Sequence, residues 1–155
     1  MSHGREFKAK GPQMTDDPLL SRAAFDELVE RELPIAVQLG FRLDVLRLGH
    51  AVGRAPYSGA FLRPGGTIAG PVLMALADYT MYAVTLSMIG GVALAVTTNL
   101  NINFLRKPGP RDVLAEGRIL KLGKRLAVSE VVLRSEGEAQ PVAHVTGTYS
   151  IPPRG

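Results

Sequence analysis

The sequence contains no cysteine and no tryptophan. The first absence removes disulfides, thiolate metal sites and cysteine nucleophiles together. Histidine is scarce: His3, His50 and His144 stand far apart, without metal-ligand spacing. Aromatic residues are few, four tyrosines and five phenylalanines beside eighteen scattered Lys and Arg. A formal net charge of +4 favours anionic partners in general. Cations with so few aromatics fit a nucleic-acid surface poorly and a phosphate-bearing small ligand better. The N-terminal MSHGREFKAKGPQ lacks the apolar centre of a secretory signal, so a cytoplasmic protein is expected.

What is present is a chain of 155 residues, 46% hydrophobic and 21% charged. That is enough for one compact domain and too little for two. Residues 1–18 read as a flexible tail and 19–155 as a single domain.

The chain is organised around Gly65 to Gly91, GGTIAGPVLMALADYTMYAVTLSMIGG. Pro71 fits a first helical turn and Gly90 a helix C-terminus, and between them the residues are apolar on almost every face. Such a helix is enclosed by protein or by lipid. Asp78 within it argues against lipid, because a central Asp costs about 2.5–3.5 kcal/mol on insertion scales. No membrane partner is expected.

Asp78 has Met74 one turn before it and Tyr82 one turn after, and so no cation at helical spacing. A buried, isolated carboxylate is costly unless paired, hydrogen-bonded or neutralised. Asp78 therefore faces water, is held by a backbone or hydroxyl donor, or is catalytic.

Around this helix the sequence predicts a minor helix from Leu19 to Leu33, ended by Pro34. A hairpin follows from Phe41 to Tyr57, with His50 at its solvated tip. Beyond the central helix, Leu94, Val96, Thr98, Leu100, Ile102 and Phe104 alternate with Ala95, Thr97, Asn99, Asn101 and Asn103. The polar, uncharged second face suits a ligand or a subunit interface. Strands are expected at Asp112–Leu122, Leu126–Ser135 and Ala143–Ile151, with His144 on a polar face. Strands joined by short turns are antiparallel, and their apolar face needs a cover. An α+β fold follows, with an antiparallel sheet wrapped around the helix from Pro71 to Ile89.

This arrangement resembles the hotdog-fold thioesterases, specifically the phenylacetate-pathway (PaaI-like) group, over roughly residues 35–152. That group carries His-Gly-Gly at the helix start and a catalytic Asp in Leu-Ala-Asp two turns on. Here Ala69-Gly70-Pro71 and Leu76-Ala77-Asp78 stand at that spacing. Thr97, Asn99, Asn101, Asn103-Phe104-Leu105 and Pro108 follow the form of the group's next strand, and Leu122-Gly123-Lys124-Arg125 its glycine-basic turn. The sequence departs at Ala69, where the group has His, at Pro71, where it has Gly, and at Arg63, where it often has Asn.

The resemblance implies an acyl-coenzyme A thioesterase needing no cofactor or metal. Asp78 would be base or nucleophile and the Gly70 N–H the oxyanion donor, since Pro71 has none to offer. Thr97 matches the group's hydroxyl position and would orient the attacking water; alternatively it supplies only β-propensity. Arg63 and Asn99 are candidate substrate contacts, Met74, Met81 and Tyr82 candidate acyl-pocket residues, and Arg106, Lys107, Lys124 and Arg125 candidate partners for coenzyme A phosphates. Eight residues of helix put Gly70 and Asp78 about 12 Å apart along the axis, too far to serve one thioester. Two antiparallel helices across a two-fold axis would bring them together, so a homodimer or homotetramer is expected. A hydratase would normally need a histidine near the helix start. A non-catalytic acyl-coenzyme A-binding or assembly module, having lost catalysis with that histidine, is the alternative.

Overall fold

The computed structural model describes residues 16–153. The element order is α1 (Arg22–Glu32), α2 (Pro34–Gln38), β1 (Arg42–Arg47), β2 (His50–Ala55), a 3-10 turn at Gly59–Phe61, β3 (Leu62–Arg63), β4 (Thr67–Ile68), α3 (Gly70–Ile89), β5 (Val96–Phe104), β6 (Val113–Leu122), β7 (Leu126–Ser135) and β8 (Ala143–Ser150). Most of the expected tail lies outside the described residues; at its end, the Asp16 carbonyl accepts from the Leu48 N–H at 2.9 Å.

Six strands form one sheet in the order β1-β2-β6-β7-β8-β5, every pair antiparallel. The turn-rich 105–112 segment does not close a hairpin. It carries the chain from β5 at one edge to β6 inside the sheet, and β5 pairs with the last strand instead.

The sheet wraps α3. Leu73, Leu76, Met81, Val84 and Leu86 of the helix meet Leu43, Val113, Val131, Leu133 and Val145 of the strands, all essentially solvent-free. By length and composition α3 could cross a membrane, but 67% of its most apolar window is buried inside the protein, as suits a core helix. Close approach of helix to sheet depends on missing side chains. A Cβ on Gly117 would stand 2.9 Å from Thr80 Cγ2 and 3.1 Å from Val84 Cγ2, and one on Gly53 would collide with Thr80 Oγ1.

Three further polar residues of α3 are buried without an external charge to match them. Thr80 and Thr85 donate to carbonyls one turn back, at 2.8 Å each, and Ser87 donates to Val84 and accepts from the Gly49 N–H at 2.9 Å. The last contact ties the end of the helix to the β1–β2 turn.

Pro34 ends α1 as its sequence predicts, and then serves as the first residue of α2, where its missing N–H costs nothing. Ser21 caps α1 by accepting from the Ala24 N–H at 3.1 Å, and Phe25 of that helix packs on Tyr79 and Tyr82. The α1–α2 corner thereby stands over one flank of α3. His50 lies at the start of β2, not at a free hairpin tip, with Nε2 3.5 Å from Glu116.

Candidate active site

Asp78 is half-buried on α3 and is held by hydroxyls from two strands. Thr97 Oγ1 donates to Oδ1 at 2.5 Å, and the Tyr149 hydroxyl donates to the same oxygen at 2.7 Å while lying 3.0 Å from the Asp78 carbonyl. Of the alternatives open in the sequence, a hydroxyl-held carboxylate is the one observed. It leaves catalysis equally available.

A register shift explains how Thr97 arrives there. Strict alternation puts Thr97 on the face opposite Leu100 and Ile102. Between Thr97 and Asn99 the β5–β8 ladder slips by one residue, and Thr98 bonds the Thr148 carbonyl instead. The slip returns Thr97 to the helix-facing side. Thr97 is also the register partner of Tyr149, so one rung of the ladder delivers both hydroxyls.

Tyr149 was not among the candidates from the sequence. Its strand alternation places it with Val145 and Gly147 on the covered face, where it is 4% exposed. A tyrosine so buried must find a partner for its hydroxyl, and this was the available signal. Burial first, and then the Asp78 charge, push its phenol far above the ordinary value, so it remains a donor. Its ring packs at 6.0 Å on Tyr82, whose hydroxyl donates to the Ala93 carbonyl at 3.0 Å. Burial, with Glu32 adding, also raises the Tyr82 phenol.

Asp78, Thr97, Tyr82 and Tyr149 line one cavity of about 500 Å³. Its far wall is apolar and comes from the α1–α2 corner, with Leu33, Ala36 and Leu39, and from Phe41. Glu32 is the second carboxylate on the wall, and it pairs with Arg31 at 3.3 Å.

The other candidates stand elsewhere. Met74 is 45% exposed and does not line the cavity, and Met81 is packed in the core, with no exposure. Asn99 is exposed on β5. Gly70 opens α3, where its N–H has no carbonyl one turn back, and Phe104 lies against it. Arg63, on the small β3–β4 hairpin, is exposed, as are Arg106, which donates to the Pro141 carbonyl at 3.2 Å, and Lys107. Lys124 and Arg125 line a second cavity of about 520 Å³ beyond the other end of α3, with Met88 and Ile151. The two basic pairs flank opposite ends of β5, roughly 26 Å apart at strand spacing, so they do not form one patch within a chain. Among the described residues, no group of three or more His, Asp or Glu could hold a metal.

The sequence pattern of the thioesterase superfamily matches residues 65–142, from the glycines before α3 through β5, β6 and β7. The chain belongs to the thioesterase superfamily. The crystal structure of a putative thioesterase from Silicibacter sp. TM1040 superposes with a TM-score of 0.81 at 42% identity, covering 90% of this chain and 97% of that one. The phenylacetic acid degradation protein PaaI of Thermus thermophilus, in the structure of a point mutant, gives 0.69 at 29% identity, over 77% and 99%. A putative esterase of Saccharolobus solfataricus is 31% identical over 86% of this chain and 87% of its own. This thioesterase thus has the hotdog fold of the PaaI-like group and is a thioester hydrolase. Hydrolysis of a thioester needs a carboxylate or an activated water near the carbonyl carbon and donors near the carbonyl oxygen. In this thioesterase Asp78 is a carboxylate that lines the cavity described above.

Proposed function

We propose that this protein hydrolyses an aryl or medium-chain acyl-coenzyme A to the free acid and coenzyme A. The observation that carries this reading is a carboxylate, Asp78, opening on a cavity whose other walls are chiefly apolar. The acyl group would lie against Leu33, Ala36 and Leu39, with its carbonyl carbon at Asp78. As general base, Asp78 takes a proton from water as the water oxygen bonds to the carbonyl carbon. The C=O pair moves to oxygen; on collapse the C–S bond breaks and the thiolate takes the proton back from Asp78. As nucleophile, Asp78 would instead form a mixed anhydride with loss of the thiol, and water would then cleave it.

The oxyanion donor is Gly70 of the partner subunit, because within one chain it lies about 12 Å of helix from Asp78. Two features support a dimer. Strand β5 is a sheet edge with unpaired backbone, and apolar Val96, Phe104 and Leu105 along it are at least half exposed. Met74 adds an exposed apolar side chain on α3 itself. The phosphates of coenzyme A would meet Arg106 and Lys107, or Lys124 and Arg125.

Ala69, in place of the group's histidine, favours a second reading, a non-catalytic acyl-coenzyme A-binding module. Thiol release from a panel of aryl and aliphatic acyl-coenzyme A thioesters, by the wild type and a folded Asp78→Asn variant, separates the two. Turnover abolished in the variant, with fold and assembly intact, is the expected result. Binding without turnover in the wild type across the panel would overturn the enzyme reading in favour of the module.

A further inference from the structure

Both hydroxyls that reach Asp78 land on one oxygen. Oδ1 receives Thr97 and Tyr149, whereas Oδ2 accepts from none of the described residues. A carboxylate oxygen offers two lone pairs, and two O–H donors use both. Oδ1 is therefore spent as an acceptor. Oδ2 keeps its lone pairs, on a residue that lines the cavity.

The phenolic proton has two acceptors within reach, and the choice between them is physical. The Asp78 carbonyl is neutral, farther away at 3.0 Å, and already engaged in the helix ladder of α3. The carboxylate at 2.7 Å is charged and closer, and it wins. Thr97 has likewise given its only proton to Oδ1. Toward a water molecule Thr97 can then only accept, which alters the orienting role expected of it from sequence.

We propose that Tyr149 is a positioning residue for hydrolysis: together with Thr97 it fixes Asp78 Oδ1 and thereby selects Oδ2 as the oxygen that attacks the thioester or takes the proton of the attacking water. This rests on the reading of Asp78 as the reacting carboxylate.

Tyr149→Phe keeps the ring and removes the donor. Its kcat on the best acyl-coenzyme A substrate is expected to fall about tenfold with KM within about twofold, since the cavity wall is retained. Thr97→Val, which removes the other donor to Oδ1, is expected to lower kcat in the same way with KM likewise retained. A merely structural tyrosine would leave kcat of the folded Tyr149→Phe protein unchanged. Site-specific difluorotyrosine at position 149, which keeps a donor of nearly the same shape, is expected to hold kcat within about threefold of wild type, and Thr97→Val serves if Tyr149→Phe does not fold. A kcat that stays at the wild-type level in these folded variants while Asp78→Asn is inactive would overturn the role of Tyr149. Activity retained by Asp78→Asn would instead remove the reading of Asp78 beneath it, whatever Tyr149 does.

Discussion

The Phe104 ring lies over Gly70: a Cβ built on that glycine would stand 3.1 Å from Cζ and 3.3 Å from Cε1 of the ring. The edge strand is thereby locked to the first turn of α3, beside the N–H proposed to receive the oxyanion. Phe104 is 55% exposed and can yield by a few tenths of an ångström. Gly70→Ala should therefore fold with its urea midpoint nearly unchanged. Its added methyl and displaced ring crowd the oxyanion position, and kcat should fall by roughly 100-fold, the order seen when one oxyanion donor is disturbed. Steady-state kinetics beside a denaturation curve checks both halves of this expectation.

The cavity wall gives a test of acyl selectivity. Ala36, 4% exposed, lies where α2 meets the cavity, so Ala36→Leu shortens the space beyond Tyr82 without touching Asp78. Discrimination of about 10- to 200-fold accompanies one methylene in an apolar pocket. The variant should lose at least tenfold in kcat/KM on a ten-carbon acyl chain and much less on a short or single-ring one. An equal loss on all acyl groups would place the acyl chain elsewhere.

The helix around Asp78 was legible because Pro71 in its first turn, Gly90 at its C-cap and its apolar faces are local signals, and the strand alternation after Leu94 was nearly as plain. Two things depend on pairings across the chain and left no local mark. One is the slip at Thr98, which turns Thr97 inward; alternation alone put it on the other face. The other is the rung that sets Tyr149 opposite Thr97, 52 residues away in sequence, which makes Tyr149 a partner of Asp78. The place of β5 beside β8 is of the same kind: the Pro108-Gly109-Pro110 turn marks a change of direction but not which strands pair, and the chain crosses to an inner strand. Helix α2 was hidden for another reason, since Pro34 is both a terminator and a good first residue.

On the outer face of the sheet, Arg54 of β2 bridges Asp44 at 2.8 Å, Asp112 at 2.9 Å and Glu136 at 3.0 Å. Asp112 is held below the ordinary carboxylate value, first by the Tyr57 N–H, with burial opposing and Arg54 adding to the depression. A depressed folded-state value means stability that is present above the unfolded value of about 3.9 and is lost as pH falls through the folded one. Glu130, depressed first by His144 and then by Arg118, adds to the same window. The urea midpoint should thus hold steady down to about pH 4 and drop below it. Asp112→Asn should be less stable at pH 7 by roughly 1 kcal/mol, a figure kept small because the carboxylate is partly in water, and its midpoint should fall less steeply in acid.

A shared site can be tested by mixing two dead chains. Gly70→Pro removes the N–H at a position where proline suits a helix start, with a ring to which exposed Phe104 must yield, and Ala69 before it already has the extended backbone that a following proline favours. Asp78→Asn removes only the carboxylate. Each variant alone has no complete site. In a mixed dimer across a two-fold axis, one site pairs two mutated residues and the other pairs an intact Asp78 with an intact Gly70 of the partner subunit. Random mixing makes about half the dimers mixed with one good site of two, so the refolded mixture should recover about a quarter of wild-type kcat. Sites completed within single chains would recover nothing, because every chain in the mixture carries one of the two defects. A recovered rate that scales with the mixed-dimer fraction, measured with distinguishable tags, would therefore assign Gly70 and Asp78 of each site to different chains.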